Sequence, residues 1–206
     1  MSDDMFGEAA TTWDDNPERV RMAEEFSREV EKLFAFTPET VAMDFGCGTG
    51  LIGLRLAPRV KKLYMVDSSQ AMLAVLRSKL DSENIANVVV SSAPLGKAVE
   101  KTSLDLVFSS MALHHVDDLP KLFTDMHAVM KPGAALIIGE LLAEDGSFHG
   151  DKAVPHHGFV PEELAALMEE RGFEVLHHHA HGMVNKPGPD GGLRQFGKFV
   201  LKACTR

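Results

Sequence analysis

At 206 residues, with 45% apolar and 25% charged content, the chain has the size and balance of one globular α/β domain rather than two. A formal charge of −9 argues against wrapping nucleic acid, whose phosphates are held mainly by lysine and arginine; the one dense basic group, Arg59, Lys61 and Lys62, reads as the solvated end of a helix. No run approaches the ~18 uncharged residues of a membrane helix, and Met1-Ser2-Asp3-Asp4-Met5 is acidic where a secretory signal is basic, so the expectation is a cytoplasmic chain with no integral membrane association.

In chain order, Asn16 to Phe34 opens on an Asn-Pro helix start and places Val20, Ala23, Phe26, Val30 and Leu33 at helical spacing. After Pro38 the texture becomes short apolar runs, Val41–Phe45, Leu63–Asp67, Val88–Ser91, Leu104–Ser109 and Ala134–Glu140, separated by helical segments. Those helices are expected near Leu51–Ala57, Ser69–Leu80, Leu95–Glu100 and Leu119–Met130, the last capped by Asp118 and ended by Lys131-Pro132-Gly133. Such alternation implies a mostly parallel sheet with helices on both faces. A helix at Pro161–Arg171 is followed by runs at Phe173–His181 and Gln195–Ala203. The turn-rich Lys186–Gly192 between these two runs is too short for a crossover, so they should pair antiparallel. Cys47 and Cys204 lack CxxC partners and read as reduced thiols.

The first strand runs through Asp44-Phe45 into Gly46-Cys47-Gly48-Thr49-Gly50 and then a helix start, where backbone must pass close to something. A triphosphate loop needs Lys and then Ser or Thr after its last glycine, and Leu51-Ile52 stands there instead. A dinucleotide loop would need glycine at position 51, and Asp44 would repel a pyrophosphate. The ammonium and sulfonium of S-adenosylmethionine suit that acid better. Asp67, closing the second strand, can accept hydrogen bonds from both ribose hydroxyls, or it can simply cap the helix near Ser69.

At these residues the chain resembles class I S-adenosylmethionine-dependent methyltransferases, especially those related to ubiquinone/menaquinone C-methyltransferases. The resemblance rests on Val41–Gly50, Leu63–Leu73, Leu104–Val116 and Met130–Ala134, in that order. It implies a doubly wound, Rossmann-like, seven-stranded and mostly parallel sheet ending in an antiparallel hairpin, as one domain over 1–206. Within it, 1–37 would be a helical cover and 141–160 a lid or substrate loop. It implies S-adenosylmethionine as cofactor, with Asp44, Gly46, Cys47, Gly48, Thr49 and Gly50 at its methionine part and Asp67 and Ser68 at its ribose. Met72, Ser92 and Ala93 would meet adenine, Ser92 standing where relatives often carry an acid. Ser109 and Met111 would lie beside the methyl donor.

The expected activity is methyl transfer to a small organic acceptor; the alternative is a non-catalytic domain that binds the cofactor as a sensor or partner subunit, and a nicotinamide oxidoreductase is a third reading. His114, which follows the fourth strand, is the nearest base should the acceptor lose a proton, with His157 and Glu140 as further candidates. His115, before Asp117 and Asp118, reads as part of a capping network. Along a strand, His177, His179 and His181 share one face at about 6–7 Å spacing. With no carboxylate or cysteine ligand near them in the sequence, no metal is expected. Oligomeric state has no signature in the sequence.

Overall fold

The computed structural model describes residues 6–150, 152–187 and 192–206. The turn expected within 186–192 therefore falls largely outside the described residues, as does the start of the amino-terminal cover.

Helix α1 spans Pro17–Leu33, and the side-chain oxygen of Asn16 accepts the N–H of Glu18 at 2.9 Å, the capping that an Asn-Pro start announces. Strands β1 (Val41–Phe45), β2 (Lys62–Val66), β3 (Val88–Ser91), β4 (Leu104–Ser110) and β5 (Met130–Leu141) alternate with α2 (Gly53–Leu56), α3 (Gln70–Glu83), α4 (Leu95–Ala98) and α5 (Leu119–Val129). Helix α6 (Pro161–Glu170) leads to the long strands β6 (Phe173–Pro187) and β7 (Leu193–Thr205). The seven strands lie in the order β3-β2-β1-β4-β5-β7-β6. The first five are mutually parallel, and β7 enters antiparallel between β5 and β6, with Gly139 opposite Val200.

Side chains alternate across this sheet, so each strand feeds two cores. Met43, Val107, Leu136 and Leu201 point toward α4, α5 and α6. Ala42, Leu106, Ile137 and Val200 point to the face covered by α1, α2 and α3. Fully buried Phe108, Phe123, Phe173 and Phe199 each contribute on the order of 1.5–3 kcal/mol by leaving water. Phe26 of α1 lies so flat on β5 that a Cβ at Gly139 would come within 2.6 Å of its ring. That contact fixes where the amino-terminal helix crosses the sheet.

Several element boundaries differ from the expected ones by a few residues, and three of the differences have a structural cause. The helix after the glycine turn is only Gly53–Leu56, because Leu51 and Ile52 belong to the turn and Ala57–Arg59 tighten into a 3-10 turn. Lys131-Pro132-Gly133 does not terminate α5 as a loop; these residues sit within β5, where the ladder with β4 shifts between Leu104 opposite Met130 and Leu106 opposite Ala135. The terminal strands run beyond their apolar stretches, because each supplies the other's hydrogen bonds as far as the pair Pro187 and Leu193. Among the described residues, no helix is long and apolar enough to cross a membrane.

Candidate active site

The strand order reverses between β1 and β4, and the loops beyond the carboxyl ends of these strands form the crevice in which such sheets place ligands. At its floor, the N–H groups of Gly46 and Cys47 donate to Val66 O at 2.8 and 3.2 Å, holding the glycine turn against the end of β2. Gly46 and Gly48 both take positive φ, +74° and +52°, a region that side chains rarely enter. They serve different ends. A Cβ on Gly46 would come within 2.3 Å of Ala112 Cβ, so this glycine admits the segment after β4, whereas a Cβ on Gly48 would meet nothing within 4 Å. Asp67 Oδ2 accepts the Gly48 N–H and Oδ1 the Ser69 N–H, each at 2.8 Å. Capping of α3 falls to Ser69, whose hydroxyl accepts the Met72 N–H at 3.3 Å.

Asp44 is buried under this turn, and its Oδ2 has no hydrogen-bond partner. Burial, and then the charge of Asp67, push its carboxyl up to about 8 against the pull of the Gly53 N–H. A buried acid with an orphaned oxygen suits a cationic group, beside which it would ionise, and offers no donor set for a phosphate. The donors and acceptors present thus fit the amino-acid end of S-adenosylmethionine at Asp44 and its ribose diol at Asp67. Cys47 is buried in the same turn, its thiol pushed up mainly by burial.

The other residues expected at the cofactor divide. Ser68 is exposed beside Asp67, and Met72 is buried on α3. Ser92 is exposed after β3, where its hydroxyl accepts from Gln70 Nε2 at 2.6 Å, and the neighbouring Ala93 N–H donates to Ser91 Oγ. Two hydroxyls are engaged by the protein itself: Ser109 donates to Phe45 O at 2.9 Å, tying β4 to β1, and Thr49 donates to Asp14 Oδ1 at 2.6 Å. Met111, at φ +55°, turns the chain out of β4.

Asp14 belongs to a 3-10 turn, Ala10–Asp15, and also pairs with Lys79, which donates in turn to Thr49 O at 2.7 Å. Next to it, the Arg19 guanidinium covers the Trp13 ring at 3.7 Å, and the Phe6 ring stands edge-on to both Trp13 and His115. The amino-terminal segment therefore touches the glycine turn at one end and a histidine at the other.

That histidine is one of three. Leu113–His115 form a 3-10 turn directly after Ala112. Glu140, fully buried at the end of β5, accepts the Leu113 N–H at 2.7 Å and the Leu141 N–H at 3.0 Å, and its Oε2 lies 2.8 Å from His114 Nδ1. A carboxylate there accepts a hydrogen bond from Nδ1–H, the tautomer that places the ring's lone pair on Nε2. His115 and His149 lie with ring centroids 4.2 and 5.0 Å from that of His114, and Phe148 stands edge-on to all but His115. Burial pushes His115 down to about 4, helped by His114; it pushes His149 down to about 3, helped by both neighbours. The sequence reading assigned His115 to a capping network, but Asp118 alone caps α5, and His115 stacks in this group instead.

His157 stands apart from the His114–Glu140 pair. It is half-exposed, with Nδ1 3.7 Å from Glu144 Oε1. The segment 141–160 folds back on itself, since Ala143 and Glu144 donate to Phe159 O and His157 O. It is pinned to the 3-10 turn by His156, whose N–H donates to His114 O and whose Nε2 lies 3.0 Å from Val116 O.

The strand histidines also find a partner that the sequence conceals. Glu29 of α1 approaches His179 to 3.4 Å, and Glu29, His179 and His181 could together offer ligand atoms, which overturns the expectation of no carboxylate nearby. Burial, and then the charge of Lys198 packed against the same helix, lowers the proton affinity of His181. A depression of about 590 Å³ lies at the amino ends of the strands among Glu39, Lys61, Asn87 and Lys131, away from the carboxyl-end crevice.

Residues 43–138 match the family model described as a methyltransferase domain. The chain is 33% identical over 144 residues to an uncharacterised methyltransferase of Schizosaccharomyces pombe, covering 62% of this chain and 51% of that one. The match thus spans about half the length of that relative. It is 35% identical over 188 residues to a carboxy-S-adenosyl-L-methionine synthase of Methylococcus capsulatus, covering 82% of this chain and 77% of that one. Among solved structures, a SAM-dependent methyltransferase from Aquifex aeolicus superposes with TM-score 0.70 at 20% identity, over 93% of this chain and 95% of that one, a likeness of fold.

Proposed function

The chain belongs to the class I S-adenosylmethionine-dependent methyltransferases, and from that premise we propose that it methylates a small organic acceptor held between the glycine turn and the His114–Glu140 pair. The observation that carries this reading is the direct packing of Ala112 on Gly46, which sets the histidine turn against the cofactor turn. When bound, the cofactor supplies a methyl group on sulfonium, whose bond to sulfur breaks with its electron pair as the acceptor's lone pair bonds to carbon.

Asp44 and Asp67 bind the cofactor's ammonium and ribose, and the amino-terminal turn closes over them through the contact of Asp14 with Thr49. Segment 141–160 roofs the acceptor side with Phe148 and His149. Alignment and exclusion of water supply much of the acceleration of such a displacement. Glu140 fixes the orientation of His114, and the lone pair on Nε2 activates the acceptor. Clustered aromatic and imidazole rings on the acceptor side, together with a formal charge of −9, favour a small molecule over a nucleic acid.

Incubating the protein with S-adenosylmethionine and fractionated metabolite extracts, followed by mass spectrometry, tests the reading. It expects S-adenosylhomocysteine together with an acceptor heavier by one methyl group. Tight cofactor binding without turnover would support a sensor instead, and a carboxylated S-adenosylmethionine would support the reaction for which the Methylococcus relative is named.

A further inference from the structure

Two stretches of chain separated by more than thirty residues bring three imidazoles together beside the glycine turn. His114, His115 and His149 each offer one nitrogen, and these nitrogens all lie within 4.8 Å of one another. We propose that His114, His115 and His149 form a binding site for a divalent transition-metal ion, with Glu140 as the carboxylate behind it.

The arrangement has the parts such a site requires. Glu140 holds His114 through Nδ1 at 2.8 Å, so the nitrogen left for an ion is Nε2, oriented as metal-bound histidines are by a carboxylate on their other nitrogen. His149 Nε2 is buried with no hydrogen-bond partner, an orphan that an ion would satisfy. Phe6 and Phe148 pack edge-on against the group and hold its rings in place. Three imidazoles favour zinc, iron, nickel or copper over magnesium or calcium, and they leave a coordination position open. The nearest cation, Lys186, is seated on the Phe148 ring at 3.8 Å, while Glu140 and Glu144 supply opposing charge.

The site stands whether or not methyl transfer occurs. Only the task of the ion rests on the proposed function: with the ion on Nε2 of His114 that lone pair is no longer a base, and the ion would activate the acceptor in its place by holding its oxygen or nitrogen at the open position. The Glu29, His179 and His181 group is the natural control, since Lys198 beside it opposes a second cation.

The test is calorimetric titration of the full chain, untagged and stripped with a chelator, with Zn²⁺. One tight site per chain is expected, weakened at least about tenfold by His149→Ala and about 10- to 100-fold by Glu140→Gln. The double variant His179→Ala/His181→Ala should leave it unchanged. Thermal stabilisation by S-adenosylhomocysteine checks that each variant is folded, and His115→Ala provides a second ligand deletion if His149→Ala is not. The proposal is overturned if no tight site exists, if the ligand deletion and the parent bind Zn²⁺ alike, or if the site disappears with His179 and His181. Because turnover is not read, failure of the proposed methyl transfer would leave this result interpretable.

Discussion

The two halves of the crevice are built from different material. The cofactor half is a backbone turn and two carboxylates, Asp44 and Asp67, at the ends of adjacent parallel strands. The acceptor half is made of side chains, with His114 from the turn after β4, Glu140 from the end of β5 and His149 from a loop pinned down by its own hydrogen bonds. The first half is set mainly by two neighbouring strands, β1 and β2, and the turns that follow them. The second exists only once the sheet is assembled, so it is the half in which relatives of one fold can diverge in acceptor.

The sharpest way to break this division is to alter the acceptor half alone. His114→Asn keeps a donor for Glu140 and removes the imidazole; turnover should fall about 10²- to 10⁴-fold while S-adenosylhomocysteine affinity stays within a factor of about two. Equal losses in both would merge the halves into one. His157→Ala, by contrast, should change turnover little, because that side chain faces Glu144 and solvent.

A second test concerns Asp44. Its folded value, about 8, lies above the ordinary 3.8, so the folded state holds a proton that the unfolded chain has released. The resulting stabilisation is fully present below about pH 4 and is lost as pH rises through about 8, at up to ~1.4 kcal/mol per pH unit. In urea melts of the cofactor-free protein, the parent should therefore lose stability relative to Asp44→Asn across this window. Parallel curves would show that Asp44 is not held as a buried acid.

The smallest expected effect is at the amino-terminal latch. Thr49→Val removes the hydroxyl bonded to Asp14 but keeps the backbone of the turn, and should lower stability by about 1–2 kcal/mol in the same melts. No change would detach the amino-terminal turn from the cofactor half.

This contrast also explains what could be read before the fold was known. β1 and β3 begin and end where their apolar runs do, and the hairpin follows from a connection too short for a crossover helix. Asp67 is legible because it closes an apolar run, and Asp44 because it is the one acid inside an apolar run that enters the glycine turn, so the place of each near a strand end follows from local pattern. Gly46 was legible only in part: Ala112, 66 residues away, packs where a side chain on it would be, and no local pattern announces that. The strand histidines drew attention as a run, yet Glu29 completes their group from a helix some 150 residues earlier. His149 looked like one polar residue in a long loop, and nothing nearby in the sequence places it against His114. Thr49 and Ser109 fit the cofactor by position, but their hydroxyls are taken by partners 35 and 64 residues distant.

The central claim, that this turn and its two acids hold the cofactor, is tested most directly by calorimetric titration of the parent and of Asp67→Ala with S-adenosylhomocysteine and, separately, NADH. The account predicts 1:1 binding of S-adenosylhomocysteine to the parent, at least about tenfold weaker binding to the variant, consistent with ~1.5–3 kcal/mol for hydrogen bonds to a charged group, and no binding of NADH. Equal affinity of S-adenosylhomocysteine for both proteins, or a preference for NADH, would contradict it.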